Sequence, residues 1–151
     1  MKTKTLKNIH KFAATLAFLL IASFLTSTII ADLLSTPEKI AQVKNTILIF
    51  IPGLILAMMI TGLSANKLYP AAMAGVFKIK QRRMKVAAIN GTLILLPAAI
   101  MLAKWSALGQ FNGLYWAVQV LEIIAGITNL AMIGLNIHDG IRLGRNAKKA
   151  L

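Results

Sequence analysis

The chain has 151 residues, of which 58% are apolar and only 14% are charged, and its mean hydropathy is +0.74. These values exclude a soluble domain of ordinary composition and indicate an integral membrane protein. The chain contains no cysteine, which excludes disulfides, thiolate-bound metals and iron–sulfur clusters, and thiol catalysis.

The first two of four apolar stretches follow a basic N-terminal segment, and each is long enough to cross a hydrocarbon core of about 30 Å. The first covers about residues 12–31. Because it is longer than the apolar region of a signal peptide, we interpret it as a retained span. The second covers about residues 45–66 and contains Pro52, which predicts a kink.

A basic loop separates these spans from the other two. Residues 67–85 form this loop, which holds six of the 17 Lys and Arg residues and is predicted to lie along the membrane surface. The third span covers about residues 86–104, with Pro97 inside it, and the fourth covers about residues 114–137. The predicted fold is an all-α, integral membrane four-helix bundle with the whole chain, 1–151, as one domain.

The distribution of basic residues predicts the orientation of the bundle. Fourteen of the 17 lie in the N-terminal segment, the loop 67–85 or the C-terminal tail, and three lie on the opposite side of the membrane: Lys39, Lys44 and Lys104. Both termini are therefore expected in the cytoplasm, with the protein in a bacterial inner membrane. The same distribution explains the net charge of +13 by attraction to anionic membrane lipids, and we predict no nucleic-acid partner.

The chain has two histidines, and this topology brings both to the same membrane face, because His10 begins span one and His138 ends span four. The first and last helices of such a bundle can be neighbours, so the two imidazoles are candidate axial ligands of the iron of haem b. Small residues on the inward helical turns would leave room for a flat macrocycle: Ala14, Ala17, Ala131 and Gly134. Met84 lies at the same face and is an alternative axial ligand.

Basic residues at this face are candidate partners of the haem propionates through charge-assisted hydrogen bonds. They are Lys7, Lys11, Arg82, Arg83 and Arg142. The alternative interpretation is structural, because small residues are common wherever transmembrane helices touch, and histidines beside charged residues are ordinary at a membrane interface.

A polar stripe runs along span four. Glu122, Asn129 and Asn136 are spaced by seven residues and share one helix face, which Gln119 extends by about one turn. We expect the stripe to point into the bundle. It is either a proton or ion path built around Glu122, a quinone-binding edge, or a set of contacts to hydroxyl groups of span one. The candidate hydroxyls are those of Ser23, Thr26 and Ser27.

Two resemblances bear on function. The segment HDGIRLG, residues 138–144, resembles the histidine-then-GIR segment in the cytochrome b subunits of succinate dehydrogenases, which favours a haem. Over its whole length the chain resembles small four-span bacterial inner-membrane proteins that begin with a basic segment and an early histidine. This second resemblance implies a location and assigns no activity.

No motif of a hydrolase or transferase is present in the sequence. The leading hypothesis is a small membrane b-type cytochrome that binds haem near the cytoplasmic face and passes electrons to or from a quinone or a membrane protein partner. One alternative is a non-catalytic membrane subunit or assembly factor that acts through helix contacts. Another is a proton-coupled carrier that uses Glu122, which at this size is expected to form a homo-oligomer.

Overall fold

The computed structural model describes residues 3–68 and 75–149, with side chains of the last helix described as far as Arg145. Its helices are α1 (Thr3–Leu34), α2 (Pro37–Leu68), α3 (Val76–Asn90), α4 (Leu96–Ala107) and α5 (Gly113–Lys149), and a π-helical turn (Gly91–Leu95) joins α3 to α4. The described residues contain no strand.

Four helical stretches are long and apolar enough to cross a membrane. They are Thr3–Leu34, Pro37–Leu68, Val76–Ala107 and Gly113–Arg145. The predicted all-α membrane bundle of four helices is therefore confirmed. The orientation with both termini in the cytoplasm stays a prediction.

Much of the predicted basic loop is helical. Residues 76–85 form the first turns of α3, and residues 69–74 lie outside the described residues. Lys, Arg, Gln and Met are good helix formers, so this basic stretch continues the third span as a helix. The resulting 32-residue helical stretch is about 48 Å long and extends beyond a hydrocarbon core of about 30 Å.

A proline accounts for the irregular turn inside the third span. Pro97 has no N–H to donate to the preceding turn. Immediately before it, the N–H of Leu96 donates to the carbonyl of Gly91, five residues back, which is the π-helical spacing. A side-chain carbon added at Gly91 would lie 3.5 Å from Nδ2 of Asn129, so this turn packs directly against α5.

The helices form a ring that is incomplete on one side. Helix α1 packs against α2 and α5, α5 also packs against α3 and α4, and α2 packs against α4. Within the described residues, no packing of similar extent joins α2 to α3. The bundle is therefore closed between α2 and α4 and separated between α2 and α3. Helices α1 and α5 are neighbours, as the haem hypothesis requires.

The bundle has two ends with different contents. One end, the turn end, contains the connections at residues 35–36 and 108–112. The other, the terminus end, contains His10, Lys80 and His138. An apolar core closes the turn end, and it consists of Ala31, Ile40, Leu102 and Tyr115, with Val43, Trp105, Phe111 and Val118 partly buried around them. Large apolar side chains cover the outer surface, as expected for helices that face lipid.

Candidate functional site

Lys44 is buried among polar groups inside the bundle, with 2% of its side chain exposed. Its ammonium group lies 2.8 Å from Oε2 of Glu122, 2.5 Å from Oε1 of Gln119 and 3.4 Å from Oγ1 of Thr28. An ammonium group has three hydrogens, so these three acceptors use all of them. A lysine this deeply buried requires a partner of opposite charge, and Glu122 supplies it.

Three helices bring these groups together. Helix α5 places Gln119 and Glu122 one turn apart on the same face, and Nε2 of Gln119 also donates to Oε2 of Glu122 at 3.3 Å. Helix α2 contributes Lys44. Helix α1 contributes Thr28 and, one turn later, Asp32, which lies within electrostatic range of both Lys44 and Glu122. Ionisable groups from three different helices therefore share one buried region.

Tyr115 belongs both to the apolar core of the turn end and to this polar region. Its side chain is fully buried, and its ring meets two neighbouring aromatic rings edge-on, with centroids 4.8 and 5.2 Å away. The N–H of Tyr115 donates to Oδ1 of Asn112 at 3.0 Å, which caps the first turn of α5. The tyrosine hydroxyl lies within electrostatic range of Asp32 and Glu122. We call the following six residues the Lys44 cluster: Thr28, Asp32, Lys44, Tyr115, Gln119 and Glu122.

The sequence pattern identifies only part of this cluster. Gln119 and Glu122 belong to the predicted stripe, whereas Lys44 is predicted only to lie on the opposite side of the membrane and Asp32 is not among the predicted site residues. Both residues lie within about two helical turns of the short connection at residues 35–36. Because α1 and α2 run in opposite directions from that connection, Lys44 lies at about the depth of Thr28, and its long side chain brings its ammonium group within electrostatic range of Asp32. This spacing was the available signal for the missed residues.

The rest of the stripe joins α5 to α3. Nδ2 of Asn129 donates to the carbonyl of Ala87 at 3.1 Å, and Oδ1 of Asn129 accepts from Nδ2 of Asn90 at 2.8 Å. Asn90 also donates to a backbone carbonyl of α5 at 2.9 Å, and Nδ2 of Asn136 donates to a backbone carbonyl of α3 at 3.1 Å. These amides act as interhelical contacts.

The predicted direction of the stripe is confirmed, but its predicted partners are different. Gln119, Asn129 and Asn136 are all buried, so the stripe points into the bundle. The two asparagine amides meet backbone carbonyls and polar side chains of α3, not hydroxyl groups of span one. The hydroxyl-bearing residues named from the sequence are exposed: Ser23, Thr26 and Ser27.

The basic residues proposed for haem propionates have varied surroundings. Nη1 of Arg83 donates to Oδ2 of Asp139 at 2.6 Å, and both side chains are 24% exposed. Arg83 therefore already has a carboxylate partner. The other four are exposed, and they are Lys7, Lys11, Arg82 and Arg142. A role for any of these residues toward a propionate stays a prediction.

A cavity of about 730 Å³ lies inside the bundle, where α2 faces α3. This volume is in the range of small-molecule binding sites. Its walls are mainly apolar, and the residues that α2 contributes include Ile51, Leu54, Ile55, Met58 and Met59. Met59 and Leu63 line the cavity and are also 55% and 63% exposed. The cavity therefore reaches the outer surface along α2.

Polar residues lie at the two ends of this cavity. Thr28 and Glu122 line it and also belong to the Lys44 cluster. His10, Lys80 and Lys85 line it as well, and they belong to the terminus end. One cavity thus extends from the buried ion pair to the basic end of the bundle.

The two histidines have different surroundings. Nδ1 of His10 lies 2.9 Å from Oγ of Ser64 and 3.2 Å from the carbonyl oxygen of Thr61, and a carbonyl only accepts, so Nδ1 carries a hydrogen. His10 lines the cavity, as does Met84. His138 does not line it, and its side chain is 71% exposed beside Asp139. Haem ligation by His10 and His138 stays a prediction to which this geometry adds no support.

Comparison with known proteins gives no family for this chain. No protein-family profile, curated protein or solved structure matches it. Among the described residues, no group of three or more His, Asp or Glu side chains is arranged to hold a metal ion. The cavity and the Lys44 cluster are therefore the features of this chain that bear on its function.

Proposed function

We propose that the protein binds a lipid-soluble amphipathic molecule, with an apolar body and an anionic head, in the cavity between α2 and α3. The observation that carries this proposal is the cavity of about 730 Å³, which has apolar walls and reaches the surface along α2. A molecule dissolved in the bilayer would enter such a gap without crossing water. The protein would act as a membrane-embedded binding or carrier protein, without a chemical step.

The charges along the cavity support an anionic head at the terminus end. Lys80 and Lys85 line the cavity there, and Lys78 and Arg82 are exposed nearby on the same helix. Ammonium and guanidinium groups bind carboxylate and phosphate oxygens through charge-assisted hydrogen bonds. At the other end, Glu122 is already paired with Lys44, so an apolar tail would meet a neutralised pair there.

We also propose how the protein is oriented in the membrane and where it is located. The terminus end carries most of the basic residues, which favours placing both termini in the cytoplasm of a bacterial cell, with the protein in the inner membrane. The basic end of the cavity would then lie in the cytoplasmic leaflet, where anionic lipid headgroups are available.

A b-type cytochrome is the second candidate, and the environment of His10 favours it. Haem has an apolar macrocycle and anionic propionates, so it belongs to the proposed ligand class. Iron-ligating histidines usually donate their other ring N–H to an oxygen, as Nδ1 of His10 does toward Thr61. This leaves Nε2 for a metal. His10 and Met84 line the cavity, so they fit this candidate better than His10 and His138.

The test of the proposed function is a binding titration of the detergent-purified protein with a dansyl-labelled fatty acid. Gly62 lines the cavity, and a side-chain carbon added there would meet nothing within 4 Å. We expect Gly62→Phe to fill the cavity and weaken binding at least about tenfold, which corresponds to about 1.4 kcal/mol.

The matched control is Gly53→Phe on the same helix. Gly53 has equally open space around it and does not line the cavity, so this variant should bind as the wild type does. Equal binding by the two variants, or no binding by the wild type, would contradict the proposal.

An absorption spectrum of the dithionite-reduced protein, prepared with haem supplied, separates the two candidates. Haem bands that are lost in His10→Ala and kept in His138→Ala would place a haem in the cavity. Bands lost in both variants would support the histidine pair. A colourless protein that binds the fatty acid would exclude the cytochrome and support the binding of a lipid-soluble molecule.

A further inference from the structure

Buried polar atoms without partners are concentrated in the Lys44 cluster. Among the described residues, both carboxylate oxygens of Asp32 and the hydroxyl of Tyr115 are buried and have no hydrogen-bond partner. Buried polar groups in proteins are nearly always hydrogen-bonded, so such exceptions call for a ligand, a water molecule or a proton. The two side chains come from different helices and lie within electrostatic range of each other.

The nitrogen donors of Lys44 and Gln119 bond to acceptors other than Asp32. The ammonium group of Lys44 is bonded to Glu122, Gln119 and Thr28, and the side-chain amide of Gln119 donates to Glu122. Asp32 receives none of these hydrogens. Its carboxyl group therefore lies near a cation whose hydrogen bonds all go to other acceptors.

The carboxylate and ammonium charges of the cluster do not balance. From the two helices packed against α1, the ionisable groups near Asp32 are Lys44 of α2 and Glu122 and Tyr115 of α5. Two carboxylates and one ammonium group leave one negative charge, and Lys44 neutralises Glu122 by direct contact. A buried carboxylate without a hydrogen bond is unfavourable in a low-dielectric interior, and binding a proton removes its charge.

We propose that the Lys44 cluster is a proton-binding site in which Asp32 holds one proton at neutral pH, beside the contact between Lys44 and Glu122. The proton bound at Asp32 makes the cluster neutral. The proposal does not depend on which molecule the cavity binds. Glu122 belongs to both features, because it also lines the cavity. A proton fits better than a metal cation, because the ammonium group of Lys44 would repel a second cation.

Infrared spectroscopy of the purified full-length protein at neutral pH tests this proposal. A protonated carboxylic acid has a carbonyl stretch that is separate from the amide and carboxylate bands. We expect a signal equivalent to one protonated carboxyl group per chain. It should shift in protein made with carboxyl-¹³C aspartate and stay unchanged in protein made with carboxyl-¹³C glutamate.

Two asparagine variants form a matched pair. Asp32→Asn should lose the signal, whereas Asp139→Asn should keep it, because Asp139 is ionised and paired with Arg83. The isotope measurement needs no substitution, so it remains informative if a variant does not fold. A wild-type protein without the signal, a shift only with labelled glutamate, or a signal that persists in Asp32→Asn would overturn the proposal.

Discussion

The turn end and the terminus end of the bundle differ in the burial of their ion pairs and in the packing of α2. At the turn end, Lys44 and Glu122 form a buried pair beneath an apolar core, and α2 packs against α4. At the terminus end, Arg83 and Asp139 form a pair in which each side chain is 24% exposed, and α2 is separated from α3. The difference indicates that the turn end holds the helices together and the terminus end leaves room for a ligand.

Removing the buried cation is expected to have the largest effect on the stability of the bundle. Lys44→Met leaves Glu122 as a buried charge without its partner, and we expect it to lower the free energy of unfolding by about 3–5 kcal/mol. Unfolding in mixed detergent micelles measures the change. Lys39→Met, at an exposed position on the same helix, is the control and should behave as the wild type. A loss no larger for Lys44→Met than for this control would show that the turn end does not depend on the pair.

A smaller effect is expected between the two ends, at the amide contacts of α5 with α3. Asn129→Ala removes the bonds to Ala87 and Asn90 and should lower the free energy of unfolding by about 1 kcal/mol. Thr128→Ala is the matched control, because the Thr128 hydroxyl donates only within its own helix. Measured in the same micelles, the free energy of unfolding of Thr128→Ala should equal that of the wild type. An equal loss of stability in both variants would argue against the contact between α3 and α5.

The smallest effect is expected at the terminus end. Arg83→Gln removes a partly exposed ion pair and should cost less than about 1 kcal/mol. Because salt screens exposed charges more than buried ones, raising the salt concentration should reduce the difference between Arg83→Gln and the wild type. The effect of Lys44→Met should change less. Equal salt dependence at the two pairs would remove the distinction between the ends.

The apolar runs of the sequence predict the four spans because each run has to match the thickness of the hydrocarbon core. The seven-residue spacing of Glu122, Asn129 and Asn136 likewise predicts one inward-facing stripe. Neither pattern specifies how each helix is rotated against its neighbours. The pairing of Glu122 with Lys44 therefore appears only in the folded bundle.

Other contacts left no signal in the sequence for a different reason. The amides of Asn129 and Asn136 bond to backbone carbonyls of α3, and every residue has a carbonyl, so the acceptor is not marked by residue type. His10 meets Ser64 of α2, although its position at the start of span one suggested a partner on span four. The basic residues 76–85 are predicted to form a loop because they are charged. Charge alone does not end a helix, and the segment is helical.

Native mass spectrometry of the protein released from lipid bilayers tests whether the space between α2 and α3 holds a ligand. We expect the wild type and Gly53→Phe each to retain one anionic amphipathic molecule, identified by its mass, and Gly62→Phe to retain none. Retention of the same molecule by Gly62→Phe, or a wild-type protein that carries nothing but detergent, would contradict the claim that the space between α2 and α3 is a binding site.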